Sequence, residues 1–129
     1  MILGIGMDLV EIARIEAAIA RHGERFAQRV LSEAELKRYR ALRKPAAYLA
    51  KRFAAKEAFS KAMGTGICSP VSWRNIAVVN HPSGCPFMQL APALEDLVKA
   101  RGITQVHVSL TDERSMAAAY VILEGAANG

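Results

Sequence analysis

Residues 46–63 read as one long helix, and that stretch sets the frame for the rest of the chain. Pro45 ends the helix before it, because proline disfavours helical geometry in the residue that precedes it. Gly64 supplies a natural C-terminal cap. Leu49 and Phe53, four residues apart, give the helix an apolar stripe. Ahead of it, residues 2–7 form a short apolar run that reads as a buried strand, with Asp8 at its end. Two glycines inside that run, Gly4 and Gly6, predict a bulge or a close backbone approach. From about Glu11 the period changes: Ile12, Ile15 and Ile19 share one helical face, and Gly23 closes the helix. Ser32 and Glu35 form a capping box that opens a helix bearing Leu36, Tyr39 and Leu42.

After a loop over 64–70, a strand is expected over 75–80. Turn formers fill 81–86 and a short strand follows over 87–90. Pro92 suits the first turn of a helix carrying Leu94, Leu97 and Val98, which Gly102 ends. Residues 106–111 alternate cleanly, 112–115 form a turn, and 116–123 make a last strand whose alanines predict tight packing. This order predicts an α+β fold, a mostly antiparallel sheet packed against the long helix and shorter helices. The 129 residues are read as a single domain, without repeat or linker.

Net charge is +5 and uneven: residues 1–61 carry 13 basic and 7 acidic side chains, whereas 62–129 carry 4 and 5. The basic half predicts a polyanionic substrate or an acidic partner. Nucleic acid is not expected, since aromatics are 6% and no base-stacking motif accompanies the charge. No apolar run is long enough to span a bilayer, and no basic stretch precedes the first apolar one, so a cytoplasmic location is expected. Cys68 and Cys85 lack metal-ligand spacing and read as free, partly buried thiols. Gly4-Ile5-Gly6 lacks the third glycine of a dinucleotide fingerprint, and Gly64-Thr65-Gly66 is no P-loop.

Asp8 and Glu57 are the first candidate pair. Glu57 lies one turn after Phe53, close to the apolar stripe, where a carboxylate needs a partner. A magnesium ion, which favours one or two carboxylates plus phosphates and water, would supply it. A salt bridge for Glu57 and a helix cap for Asp8 serve equally well. Lys61, one turn on, forms a weak surface pair of roughly 0.3–0.5 kcal/mol with Glu57, or neutralises charge beside a phosphate. Arg52 and Lys56 flank that face as further phosphate contacts. His107, Ser109 and Thr111 line the polar side of a strand and either face solvent or grip a phosphate or ribose. Arg14, Arg21, Arg25 and Arg29 make a basic edge with Phe26 among them, either a solvated face or a docking site.

Three blocks carry a resemblance: GIGMDLVEI at 4–12, KRFAAKEAFSKAMGTG at 51–66 and HVSLTDE at 107–113. Together they resemble the signature blocks of bacterial holo-acyl-carrier-protein synthases, the small 4′-phosphopantetheinyl transferases. The resemblance implies transfer of phosphopantetheine from coenzyme A to a serine of apo acyl carrier protein, in support of fatty acid biosynthesis. It implies Mg2+ held by Asp8 and Glu57, with Lys61 beside the transferred phosphate and Glu57 as the available base. Arg52, His107 and Ser109 match positions around the nucleotide's phosphates, with Lys61 and Gly64 also on the coenzyme A side. Arg14, Arg21, Arg25 and Phe26 fall on the segment that meets the acidic carrier. A homotrimer with sites between subunits is implied, so that His107 serves a neighbouring site. The chain departs at Gly84-Cys85-Pro86, where members usually carry Gly-Lys-Pro.

Overall fold

A computed structural model of the chain describes residues 1–126. The elements follow in the order β1 Ile2–Glu11, α1 Ile12–His22, α2 Glu24–Val30, α3 Glu33–Ala41 and α4 Ala46–Met63. A single 3-10 turn at Trp73–Asn75 then leads to β2 Ile76–Asn80, β3 Pro86–Leu90, α5 Pro92–Ala100, β4 Ile103–Glu113 and β5 Met116–Gly125. One antiparallel sheet has the order β1-β5-β4, and β2 and β3 form a second antiparallel pair. The α+β architecture is the expected one, with the long helix α4 laid against β1 and β5. Leu49, Ala54, Ala55, Ala58 and Phe59 of α4 join Ala117, Ala119, Val121 and Leu123 of β5 in the core.

Small residues let this helix and sheet touch backbone to backbone. A Cβ at Gly4 would run into the Ala62 carbonyl oxygen, and one at Gly6 into that of Ala58. The glycines therefore mark a close approach. Their placement also explains why β1 is longer than its apolar run suggests. Gly4, Gly6, Asp8 and Val10 face α4, while Ile5, Met7 and Leu9 face outward and are exposed. With glycines in the inward places, the alternation is hidden. Asp8 consequently lies within the strand, paired with Ala119, rather than at its end.

Other boundaries move for similar reasons. Gly23 closes α1 at φ 61, and the chain then turns straight into α2, a seven-residue helix too short for a periodic signal. The capping box forms as expected: Glu35 N donates to Ser32 Oγ at 3.4 Å and Ser32 N to Glu35 Oε1 at 2.9 Å. Gly64 caps α4 in the left-handed region, at φ 75. The turn expected over 112–115 shrinks to Arg114 and Ser115, because Glu113 still pairs with Met116 and Arg114 takes φ 45.

Candidate active site

The inner face of β1 and the exposed end of α4 bring three candidate groups together. Lys61 Nζ donates to Asp8 Oδ1 at 2.9 Å and to the Met7 carbonyl at 3.2 Å. Lys61 thus pairs across 53 residues with Asp8, not one helical turn back with Glu57. Asp8 is no helix cap, for α1 starts without a side-chain cap bond. Burial first, and the Asp8 charge second, hold the Glu57 carboxyl above its usual range, while Lys61 pulls the other way. Among the described residues no salt bridge reaches Glu57. A half-buried carboxylate beside a second carboxylate is a donor set of hard oxygens that one lysine, Lys61, does not fully neutralise. It suits a hard cation that takes one or two carboxylates.

Arg52 and Lys56 do not flank this group. Both are buried, on the side of α4 turned toward α3 and β2. Lys56 is fully buried against Glu35, so it offers nothing to a phosphate. Burial pulls its ammonium below the usual lysine range, with Glu35 opposing. The Arg52 guanidinium stacks 4.1 Å from the Tyr48 ring centroid, and its Nη2 donates to Asn80 Oδ1 at 3.2 Å. Its buried Nε has no partner among the described residues. Glu35, Arg38, Tyr48, Arg52 and Asn80 help line a cavity of about 230 Å³ there. Tyr48 lies four residues before Arg52, a helical spacing that would have found it. Asn80 carries no such local signal.

His107, Ser109 and Thr111 occupy the outer face of the three-stranded sheet, opposite the face that meets α4. Within one chain they stand apart from Asp8, Glu57 and Lys61. His107 Nε2 lies 3.0 Å from Glu124 Oε1, and this neighbour holds the Glu124 carboxyl below its usual range. The same face exposes Ile5, Met7, Leu9 and Tyr120, each 43–58% accessible.

The basic edge is split by the break at Gly23. Arg14 and Arg21 are exposed on α1, Arg25 and Arg29 on α2. His22, Arg25, Phe26 and Arg29 line a hollow of about 230 Å³. Phe26 is half-buried, 6.2 Å from Phe53, which in turn stacks on Trp73 at 5.1 Å. Phe53 precedes Glu57 by one turn, and the row ends at Trp73, beside Lys56. Cys68 and Cys85 are free, as expected, but both are exposed rather than partly buried. Gly64 is exposed at the end of α4.

The family model of the 4′-phosphopantetheinyl transferase superfamily matches residues 4–121. The holo-[acyl-carrier-protein] synthase of Thiobacillus denitrificans is 52% identical over 127 residues, spanning 98% of this chain and 97% of that protein. The crystal structure of the Neisseria meningitidis holo-[acyl-carrier-protein] synthase matches with a TM-score of 0.93 at 44% identity, over 96% of this chain and 99% of that one. The Bacillus anthracis holo-(acyl-carrier-protein) synthase, solved in complex with CoA (3′,5′-ADP), matches with a TM-score of 0.82 at 36% identity, over 98% and 99%.

Proposed function

Because this chain belongs to the 4′-phosphopantetheinyl transferase superfamily, we propose that it is a holo-[acyl-carrier-protein] synthase. It transfers the 4′-phosphopantetheine group of coenzyme A to a serine of apo acyl carrier protein and releases adenosine 3′,5′-bisphosphate. The holo carrier then has a thiol on which acyl chains can be carried in fatty acid synthesis. The observation that carries the reading is the pair Asp8 and Glu57, two carboxylates with a lysine beside them and net need of a cation.

Asp8 and Glu57 would hold magnesium. When bound, it neutralises pyrophosphate charge and so lowers the barrier to substitution at phosphorus. The carrier's serine oxygen attacks the phosphorus next to pantetheine, and the bond from that phosphorus to the bridging oxygen breaks. Lys61, half exposed on a flexible stem, can leave Asp8 for the phosphates and stabilise the charge that grows on the leaving group. The serine proton passes to the Glu57 carboxylate. Arg52, which lines a pocket with Tyr48 and Asn80, supplies charge to the nucleotide end of coenzyme A.

His107 and Ser109 enter this scheme through a second copy of the chain. The exposed Ile5, Met7, Leu9 and Tyr120 form an apolar face around them, which supports a homotrimer whose sites lie between subunits. Met7→Asp puts a charge in the middle of that face. Sedimentation should then fall from three chain masses to one, and affinity for coenzyme A should drop with it. A variant that stays trimeric would count against this face as the contact.

Docking of the acidic carrier falls to Arg14, Arg21, Arg25 and Phe26. Arg14→Glu with Arg21→Glu should raise KM for the carrier roughly tenfold or more, since like charges across an interface cost several kcal/mol. KM for coenzyme A should change little. Equal shifts in both constants would argue against a docking face.

The reading as a whole is tested by the mass of an apo acyl carrier protein incubated with this protein, coenzyme A and Mg2+. A gain of one phosphopantetheine, abolished by EDTA, is expected. No gain on a well-folded carrier would remove the activity.

A further inference from the structure

Lys56 adjoins Glu57 in the chain yet points the other way, into the core, and its ammonium is fully used there. It donates to the Val30 carbonyl at 2.6 Å, to Glu35 Oε1 at 2.6 Å and to the Trp73 carbonyl at 2.9 Å. Three bonds are all that an ammonium can give. Glu35 is equally committed: Oε1 also accepts from Ser32 N at 2.9 Å, and Oε2 accepts from Val78 N at 2.8 Å. Both side chains are at most 1% accessible.

The partners are not a random sample of the core. Val30 is the last residue of α2, so its carbonyl is one that a helix leaves without an internal partner. Ser32 opens α3, Trp73 opens the 3-10 turn, and Val78 is the middle of β2. One ion pair therefore ties α4, next to Glu57, to the ends of two helices, a turn and a strand. A second tie lies nearby, where Phe53 of α4 meets Phe26 of α2 and Trp73. Together they hold α2 at its C-terminal end and its middle, leaving Arg25 and Arg29 facing solvent.

Stability alone is a poor reason for such a pair. Removing two charges from water is costly, and well-packed apolar side chains often stabilise a fold as much or more. Five directional bonds do something apolar packing does less well: they fix both the separation and the rotation of the elements they join. We infer that Lys56 and Glu35 are positioning residues that set α2 against α4, so that a carrier held on α2 presents its serine to Asp8, Glu57 and Lys61. This rests on the reading of α2 as part of the carrier-docking face.

Glu35→Gln keeps the shape and removes the charge. The double variant Glu35→Gln with Lys56→Met removes both charges, so that neither is left buried and alone should the single variant fold poorly. In the full chain, KM for apo carrier, KM for coenzyme A and kcat are measured beside amide hydrogen exchange. The expected result is a fall of at least tenfold in kcat/KM for the carrier, several times larger than any change in KM for coenzyme A, since Glu35 also lines the cavity beside Arg52. Amides of α2 should exchange at least tenfold faster, while those of β5 keep their protection. Parallel shifts in both substrates' constants, or unchanged α2 exchange, would overturn the inference. If the parent protein itself fails to load the carrier, the proposed function falls, and the α2 exchange still decides whether the pair holds that helix.

Discussion

Glu57→Gln should abolish most transfer, by on the order of 10³-fold, and should leave the protein at least as stable as its parent. The first half follows from charge. Glutamine matches glutamate in size but brings no negative charge to a cation and no base to the serine hydroxyl. The second half follows from the carboxyl's raised pKa. A carboxyl whose folded pKa lies above its unfolded one favours the fold while protonated. That contribution is full below the unfolded pKa and is lost as pH rises through the folded value. At neutral pH the ionised Glu57 therefore opposes folding, through burial and repulsion by Asp8, and glutamine removes both effects. Thermal melts at pH 7 should show an equal or higher Tm for Glu57→Gln. Millimolar Mg2+ should raise the Tm of the parent and not that of the variant, because only the parent gains from a ligand of the folded state. A fully active variant, or one that Mg2+ still stabilises equally, would sink the assignment of Glu57.

Gly6→Ala should cost far more stability than a single added methyl group usually does. The new Cβ meets the Ala58 carbonyl oxygen and lies under 3 Å from Ala62 N, and neither is the flexible end of a side chain. Backbone must shift, so the cost should exceed the ~1–3 kcal/mol usual for an overfilled core. Relief can come only if β1 lifts off α4. Since Asp8 is two residues along the same inward face of β1, that movement also draws Asp8 away from Glu57 and Lys61. Urea unfolding should give a much lower midpoint, and any folded fraction should bind Mg2+ weakly. Gly84→Ala, at a positive-φ turn with open space around the Cβ, serves as the comparison and should cost far less. Similar midpoints for the two variants would mean that the helix does not constrain β1.

The contrast between what was legible and what was not follows the range of each interaction. Signals within a few residues read correctly: the Ser32 and Glu35 capping box, the glycine stops at Gly23 and Gly64, and the clean alternation of β4. The capping box also shows the limit. Its local pattern accounts for Glu35 completely, and nothing in it points to Lys56, 21 residues on, or to Val78. For Lys61 the local rule named the wrong partner, because the helix spacing to Glu57 is visible and the packing of Asp8's strand against α4 is not. Lys56 was read as a phosphate contact since lysines are seldom buried, and only the tertiary cage of two carbonyls and a carboxylate makes this one an exception. His107 and Ser109 read from alternation as either solvent-facing or phosphate-gripping, and the resemblance of their block made them candidates. Their separation from the carboxylates depends on which face of the sheet each occupies, and that is a matter of strand pairing across the chain.

That pairing has a consequence for how the protein is made. β5 is the middle strand of its sheet yet the last to leave the ribosome, and it joins β1, the first. Even the N-terminal ammonium waits for the carbonyl of Gly125, 3.0 Å away in the finished fold. Asp8 gains its strand neighbour Ala119 only after 111 more residues are synthesised, about 6–22 s at ordinary rates of translation. During that interval β1, with Ile5, Met7 and Leu9 along it, has no strand to pair with. Until then Asp8 and Glu57 are held near each other only by the packing of β1 on α4, and both edges of β1 stay unpaired.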